Sequence, residues 1–490
     1  MPPVIQTRIF TQRDQRWFAE CSGDFNPVHL DPIAARRELP GAVVAHGIHF
    51  VLWLLDSYWA ILARRGIQHI QPARVQCSFR RPVYLDIPVE AQVVFEGGDR
   101  VKLAIVQEAQ SAAKCSVTYA EAKDMPGSGR TAPLPKTWNI KAVDVPFEEL
   151  AGRQGSTPLV VDEDEMMRHF RHLSKMTGLT FVSELLAITR IVGMDCPGRH
   201  SMLSAVDLSA KTNMRSTVLR YVVEEADSRM HWVTLGVMGP TMSGSVTAFY
   251  RPGPVVQMNF EGVKKLVPPG SFRDQRALVI GGARGIGEAT AKLIAAGSGD
   301  VWLTYKTGEE DARAVCQDII LGGGLCRFSS YRTGEAAEGL DALDNNGFRP
   351  THVYYFATPR LVRNREAAFN MGLFTTYAKI YVAGFAELYE GCTERWRAPV
   401  VFFYPSSVAV HEHTMDLVEY SCAKAAGEAL CASLNQFRPV NRIHVVRLPL
   451  IATELSRGLL ETESENAAEA MLPILRAMNS RDSANEVRLS

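Results

Sequence analysis

Tandem α+β modules, each an apolar helix wrapped by an antiparallel sheet, then a doubly wound α/β parallel sheet: this is the architecture expected of the 490-residue chain. Three features lead there. An apolar helical run followed by period-two strands occurs twice, around 48–122 and around 181–252. A glycine-rich loop stands between a strand-like and a helix-like run at 276–297. Beyond 301, short apolar strands alternate with helical stretches, the rhythm of β-α-β units.

A chain of this length makes roughly two to four domains, each able to bury its own core. Apolar content of 46% and charged content of 22% are ordinary for globular protein. Lys+Arg and Asp+Glu balance at 53 each, so no overall field favours nucleic acid or an anionic membrane. The nine cysteines are scattered without a C-x-x-C pair, which points to reduced thiols and away from a disulfide framework or metal site. The opening MPPVIQTRIFTQRD lacks a signal-peptide pattern. The apolar run 48–63 is interrupted by Asp56 and Ser57, which suits a core helix better than a membrane span. A cytoplasmic protein with no membrane or nucleic-acid partner is expected.

The first module is expected at 1–124, with strand-like segments at 73–85, 89–109 and 114–122 after the apolar helix. Alternation is clear at 89–96 and 102–107, and Gly97-Gly98-Asp99 reads as a hairpin turn between them. Residues 125–137 form a Pro/Gly/Ser-rich linker. The second module, 138–262, has helical stretches at 162–179 and 181–194 and strands at 201–212, 217–227, 231–239 and 243–252. A linker at 263–274 leads to the third domain, 275–490, with further strands at 301–305, 326–331, 351–357, 399–405 and 442–449.

The richest chemistry lies in SGDFNPVHLDPIAA (22–35), where Asp24, Asn26 and His29 fall within six residues around the turn formers Gly23 and Pro27. A carboxylate and an imidazole on one bent segment can converge on a single water, as reversible addition of water to a polarised double bond requires. The plainer reading is a loop-to-helix junction, with Asp24 as N-cap and His29 on the surface or in the core. The run Ser22, Gly23, Asp24, Phe25, Asn26, Pro27, Val28, His29 and then Ala35, followed by AHGIHF at 45–50, resembles the MaoC-like (R)-specific enoyl-CoA hydratases and dehydratases of the hot-dog fold. The resemblance implies that Asp24 and His29 are the catalytic pair and that Asn26 helps hold water and substrate. It also implies that the Gly47 amide binds the thioester oxygen, a role suited to an N–H at a helix N-terminus. His46 is either part of that site or structural.

The second module repeats the rhythm without G-D-x-N-P-x-H, so a tandem double hot-dog is implied, with a degenerate half that houses the acyl chain. His169 and His172 there are expected to be exposed or half-buried. Arg36, Arg37, Arg80 and Arg81 are candidates to grip CoA or phosphopantetheine, or ordinary surface arginines.

In ALVIGGARGIGEATAKLIAAG, Gly281, Gly285 and Gly287 allow a tight turn and close approach to a pyrophosphate at the helix N-terminus. With Tyr420-Ser-Cys-Ala-Lys424, and Ser407 thirteen residues before Tyr420, residues 275–490 resemble the short-chain dehydrogenase/reductase family and its Rossmann-type fold. The resemblance implies cofactor contacts at Gly281, Arg284, Gly285, Ile286 and Gly287 and catalysis by Ser407, Tyr420 and Lys424. A free tyrosine titrates near about 10, and a neighbouring ammonium is expected to bring it toward neutrality. The second strand ends at Tyr305, Lys306 and Thr307 instead of an acid, and Arg284 lies in the glycine loop, which favours a 2′-phosphate and hence NADP(H). The alternative is that Lys306 is simply solvated.

Several positions depart from that family. FATP (356–359) replaces Asn-Asn-Ala-Gly, Tyr331 replaces an acid near the adenine, and Pro449-Leu450 replaces Pro-Gly. Tyr381 falls where a helix asparagine is usual, with Asn370 nearby. The chain ends at ANEVRLS, short of the usual final strand and glycine-rich tail. The combined expectation is a bifunctional, metal-free enzyme on CoA or carrier-protein thioesters, forming a homodimer. It would reduce a 3-oxoacyl group with NADPH and dehydrate the (R)-3-hydroxyacyl product to a trans-2-enoyl thioester, or hydrate in reverse. The alternatives are an active hydratase with a non-catalytic nucleotide-binding domain, and a non-catalytic component of a larger synthase.

Overall fold

A computed structural model describes residues 2–122, 131–211, 216–251, 253–362, 368–396, 398–412, 416–438, 440–454, 456 and 464–479. Residues 125–130 of the 125–137 linker, Pro252 and the ANEVRLS end lie outside the described residues. The chain divides into two compact units, the first Met1–Pro254 and the second beginning at Val255.

The first unit contains β1 (Val4–Ile9), β2 (Ile70–Phe79), β3 (Pro88–Gly97), β4 (Arg100–Gln107), β5 (Gln110–Glu121), β6 (Gln154–Pro158), β7 (Ser201–Ala210), β8 (Val218–Asp227), β9 (Trp232–Met238) and β10 (Met242–Tyr250). They form one ten-stranded sheet in the order β1-β3-β4-β5-β2-β7-β10-β9-β8-β6. Read inward from either edge, the order is the same: first strand of the half, third, fourth, fifth, then second. The halves join antiparallel through β2 and β7, with Arg74 opposite Ser209 and Ser78 opposite Ala205. The sheet wraps two apolar helices, Gly47–Arg64 in the leading half and Leu179–Arg190 in the trailing half. Trp59 and Tyr58 on the first, and Val182, Leu186 and Ala187 on the second, are fully buried. Such burial stabilises each half strongly; truncating a Trp like Trp59 to Ala costs about 3–5 kcal/mol.

Gly97–Arg100 closes the expected hairpin, with Gly98 at φ 59°. A second tight turn was not anticipated: Glu108 and Ala109 adopt left-handed φ of 51° and 62° between β4 and β5, without glycine or asparagine to signal it. Edge strand β6 was likewise not expected, and the helical stretch 162–179 is broken at Phe170 into Glu163–His169 and Arg171–Thr177. His169 and His172 are half-buried, His169 lying 3.9 Å from the Trp17 ring. Among the described residues no single helix is long and apolar enough to cross a membrane.

The domain boundaries at 262 and 263–274 are corrected. Phe260, Val263, Val267 and Phe272 are buried in the core of the second unit, so the chain from Val255 belongs to that unit and is not linker. This unit holds β11 (Arg276–Ile280), β12 (Asp300–Tyr305), β13 (Leu325–Ser330), β14 (His352–Tyr355), β15 (Val401–Ser407) and β16 (Arg442–Leu448). All pair in parallel, in the order β13-β12-β11-β14-β15-β16. Strand order reverses between β11 and β14, and open α/β sheets bind ligands at the carboxyl ends of strands at such a switch point.

Candidate active site

In the first unit, helix Gln12–Ser22 starts in a capping box between Thr11 and Asp14 and stops at Gly23, φ 76°. A Cβ at Gly23 would meet the Trp138 ring at 2.6 Å, so both backbone and space demand glycine. The chain then turns Asp24 inward, where it is 1% exposed. Asn26 caps the short helix Pro27–Leu30, which carries His29. His29 Nδ1 lies 2.9 Å from the Val44 carbonyl and donates to it, leaving Nε2 as the basic lone pair.

Asp24, His29 and His46 each bring a ligand-type atom within 4.8 Å of the others. The carboxyl and imidazole of the expected pair therefore face one spot. His46 stacks on His29 at 3.9 Å, with Nε2 3.0 Å from the Asp24 carbonyl and Nδ1 2.9 Å from Gln15 Oε1. Of its two expected roles, this geometry assigns His46 to holding the Asp24 backbone. The spacing of the three side chains suits a metal ion, but both His46 ring nitrogens and His29 Nδ1 already face protein oxygens, so the group is a poor match for a cation.

Burial dominates the electrostatics. It raises the Asp24 pKa, opposed by His29 and by the Thr189 hydrogen bond. It lowers that of His29 to about 3, with His46 adding to the effect and Asp24 opposing it. Burial also lowers His46 to about 3. A carboxyl pushed toward its protonated form beside an imidazole kept neutral is an acid next to a base.

Gly47 opens the helix Gly47–Arg64, and a Cβ there would meet the Phe79 ring at 3.0 Å. Asn26 departs from the expected water-holding role: its Oδ1 accepts from Val28 N–H, and its Nδ2 donates to the Gly193 carbonyl at 2.9 Å and the Arg199 carbonyl at 3.2 Å. Of the candidate arginines, Arg80 is exposed and Arg36, Arg37 and Arg81 are half-buried.

Sequence reasoning missed the trailing half's part in this site. Thr189 Oγ1 donates to Asp24 Oδ2 at 2.7 Å. Arg190, whose pKa burial lowers to about 10, donates to the Ser22 carbonyl at 3.1 Å and to Thr157 Oγ1 at 2.8 Å. Arg251, 1% exposed, forms a buried ion pair with Glu38 and donates to the Arg199 carbonyl that Asn26 also uses. Thr189 and Arg190 did not stand out in the sequence, because the same helix also carries Thr180, Ser183 and Glu184.

In the second unit, Gly281 at φ 77° ends β11, and a Cβ there would meet the Phe356 carbonyl at 3.0 Å. Gly285, φ 57°, begins the helix Gly285–Ala296; at Gly287 a Cβ would come within 3.0 Å of Gly282 Cα. Ile286 packs on the core beneath. This bare-backbone cradle at the switch point suits a pyrophosphate. Arg284 forms an ion pair with Glu454 at 3.1 Å, Tyr305 donates to Glu309 at 3.2 Å, and Lys306 is exposed.

Ser407 hydrogen-bonds Tyr420. The lysine effect differs from expectation. Burial raises the Tyr420 pKa, with Ser407 opposing, and Lys424 makes no resolved contribution. Lys424 is itself buried: its Nζ donates to the Pro405 carbonyl at 2.7 Å and lies 4.0 Å from the Tyr381 ring centroid and 5.8 Å from that of Tyr420. Burial lowers its pKa to about 7, which halves its charge near neutrality. Tyr381 thus occupies the space over the ammonium, while Asn370 caps the helix Met371–Ala378 instead. Tyr331 is buried in the core, with its ring against Gly339.

Comparison with known proteins returned three results. A family model, the MaoC like domain, matches residues 2–115. No curated protein matches. Similar solved structures include a short chain dehydrogenase from Salmonella enterica serovar Typhi (17% identity, 45% of this chain and 95% of that one, TM-score 0.41). Another is a short chain dehydrogenase from Burkholderia cenocepacia in complex with NADP (18%, 42% and 91%, TM-score 0.38). A third is FolM alternative dihydrofolate reductase 1 from Brucella suis in complex with NADP (16%, 36% and 73%, TM-score 0.34). The family match falls on the half that carries Asp24 and His29, and residues 2–115 of this chain are similar to the MaoC like domain.

Proposed function

We propose that the chain is a bifunctional acyl-thioester enzyme: a 3-hydroxyacyl-thioester dehydratase, or enoyl hydratase in reverse, joined to an NADPH-dependent 3-oxoacyl reductase. The observation that carries the first activity is the convergence of Asp24 and His29 with opposite burial shifts. In dehydration, neutral His29 Nε2 takes the α-proton and protonated Asp24 delivers a proton to the leaving hydroxyl. Hydration reverses both transfers. The Gly47 amide stabilises charge developing on the thioester oxygen, a reading supported by its position at the start of the central helix. The trailing half encloses the acyl chain, and Arg36, Arg37, Arg80 and Arg81 supply the cations for a phosphopantetheine or CoA arm.

For the reductase, support comes from the glycine cradle and from Ser407 bonded to Tyr420. Ser407 orients the substrate carbonyl, Tyr420 donates the proton, and Lys306 with Arg284 receives the 2′-phosphate. When bound, NADPH supplies the hydride. The two activities share the (R)-3-hydroxyacyl intermediate, which a tethered second site meets at raised local concentration. A cytoplasmic homodimer acting on CoA or carrier-protein thioesters remains part of this reading. Incubating the chain with a panel of 3-oxoacyl thioesters and NADPH should yield hydroxyacyl and enoyl products by mass spectrometry; their absence across the panel would reject it.

A second reading, an active dehydratase with a nucleotide-binding but non-catalytic second unit, is favoured by the sealed Lys424 and the raised Tyr420. NADPH-dependent turnover that Tyr420→Phe abolishes would exclude it.

A further inference from the structure

Resting on the dehydratase reading, we infer that Thr189, supplied by the trailing half, is the positioning residue of the Asp24 carboxyl group. Thr189 lies on helix Leu179–Arg190, 165 residues from Asp24 in the chain. Its hydroxyl donates to Asp24 Oδ2 at 2.7 Å, while Asn26 N–H reaches Oδ1 at 3.2 Å. One turn further on, Gly193 leaves bare backbone against the carboxyl: a Cβ there would lie 2.6 Å from Asp24 Cγ. The carboxyl is therefore wedged between a hydroxyl on one edge and a side-chain-free surface on the other. Both groups are buried, Thr189 at 5% exposure and Asp24 at 1%, so no bulk water replaces the bond if it is lost.

Two consequences follow from a fixed donor on Oδ2. The plane of the carboxyl is set toward His29, and the ionised form is stabilised relative to the protonated one. Without the hydroxyl, Asp24 loses its orientation and its pKa rises further. The trailing half thus has a task beyond covering the acyl chain, since the leading half alone contains no side chain bonded to Oδ2 among the described residues.

The test uses the full chain with Thr189→Val, which keeps the shape without the hydroxyl, and Thr189→Ser, which keeps the hydroxyl. Hydration of crotonyl-CoA is followed across pH, and the Asp24 carboxyl band is read by infrared difference against Asp24→Asn. For Thr189→Val, kcat should fall about 10–100-fold with KM within about 3-fold. The Asp24 titration should move to higher pH, and Thr189→Ser should restore both. A Thr189→Val enzyme with unchanged kcat, pH limb and carboxyl band overturns the inference. If Thr189→Val does not fold, Gly193→Ala takes its place, because the added methyl pushes the carboxyl off Thr189: the same displacement supports the inference and an unchanged band overturns it. A band that moves in Thr189→Val and returns in Thr189→Ser supports the inference even if no chain, wild type included, hydrates the thioester; that result would count against the dehydratase reading alone.

Discussion

The leading and trailing halves of the ten-stranded sheet have the same strand order and the same apolar helix, yet they divide the labour of one site. The leading half presents Asp24 and His29 on a bent segment behind Gly23. The trailing half has no such segment, and its helix turns Thr189 and Arg190 toward the first half's loop. The half without G-D-x-N-P-x-H supplies hydrogen bonds to the loop of the half that has it. The lesson is that two modules with one strand order can contribute different groups to a single cluster of side chains.

The comparison breaks most visibly at the buried pair that ties the halves together. Arg251→Met leaves Glu38 charged and unpaired and should lower the unfolding free energy by about 3–5 kcal/mol in denaturant titration. Adding Glu38→Leu should recover most of that loss; a double variant no better than the single would place the stability elsewhere. A pH scan sharpens the same junction. The folded-state pKa of His46 is depressed to about 3, so between there and the ordinary value near about 6.5 the unfolded chain binds the extra proton. Its contribution is present above about 6.5 and is lost on acidification, at up to about 1.4 kcal/mol per pH unit. Asp24, whose pKa is raised, acts with the opposite sign, losing stability as pH rises above its unfolded value. His46→Gln should flatten the acid slope, and a slope that stays as steep would show that His46 is not a neutral buried group.

Smaller effects are expected around Arg190. Thr157→Val removes the hydroxyl that accepts from its Nε and should cost about 1–3 kcal/mol in the same titration. Trp138→Leu removes the ring 5.0 Å from its guanidinium and should cost about 0.5–2 kcal/mol, read as a lower melting temperature. Separate supports should make the losses add in the double variant; a double variant no worse than either single would mean that the hydrogen bond and the ring contact are one support.

The legible parts of the chain are those whose chemistry is local. Gly23, Asp24, Asn26, Pro27 and His29 lie within one bend, so their sequence spacing is already their geometry. Gly281, Gly285 and Gly287 are similar, because each stands where a side chain would collide or the backbone turns left-handed. The Thr189–Asp24 bond was hidden because it depends on how β2 meets β7, a register set by packing over the whole sheet. The Glu108–Ala109 turn was hidden because neither residue prefers that backbone. The spacing of Tyr420 and Lys424 was readable, but not the burial of the ammonium beneath the Tyr381 ring, which tertiary packing sets. The boundary near 255 was misread because its prolines looked like linker, while Phe260 and Phe272 beside them are core.

The most direct measurement is the rate at which the wild-type chain and its Asp24→Asn and His29→Ala variants add water to a trans-2-enoyl-CoA, with folding checked for each. Both variants should remain folded and lose about 100–10,000-fold in rate, the range for removing a positioned acid or base. A folded variant that hydrates as fast as the wild type would contradict the assignment of these two side chains as the proton-handling pair.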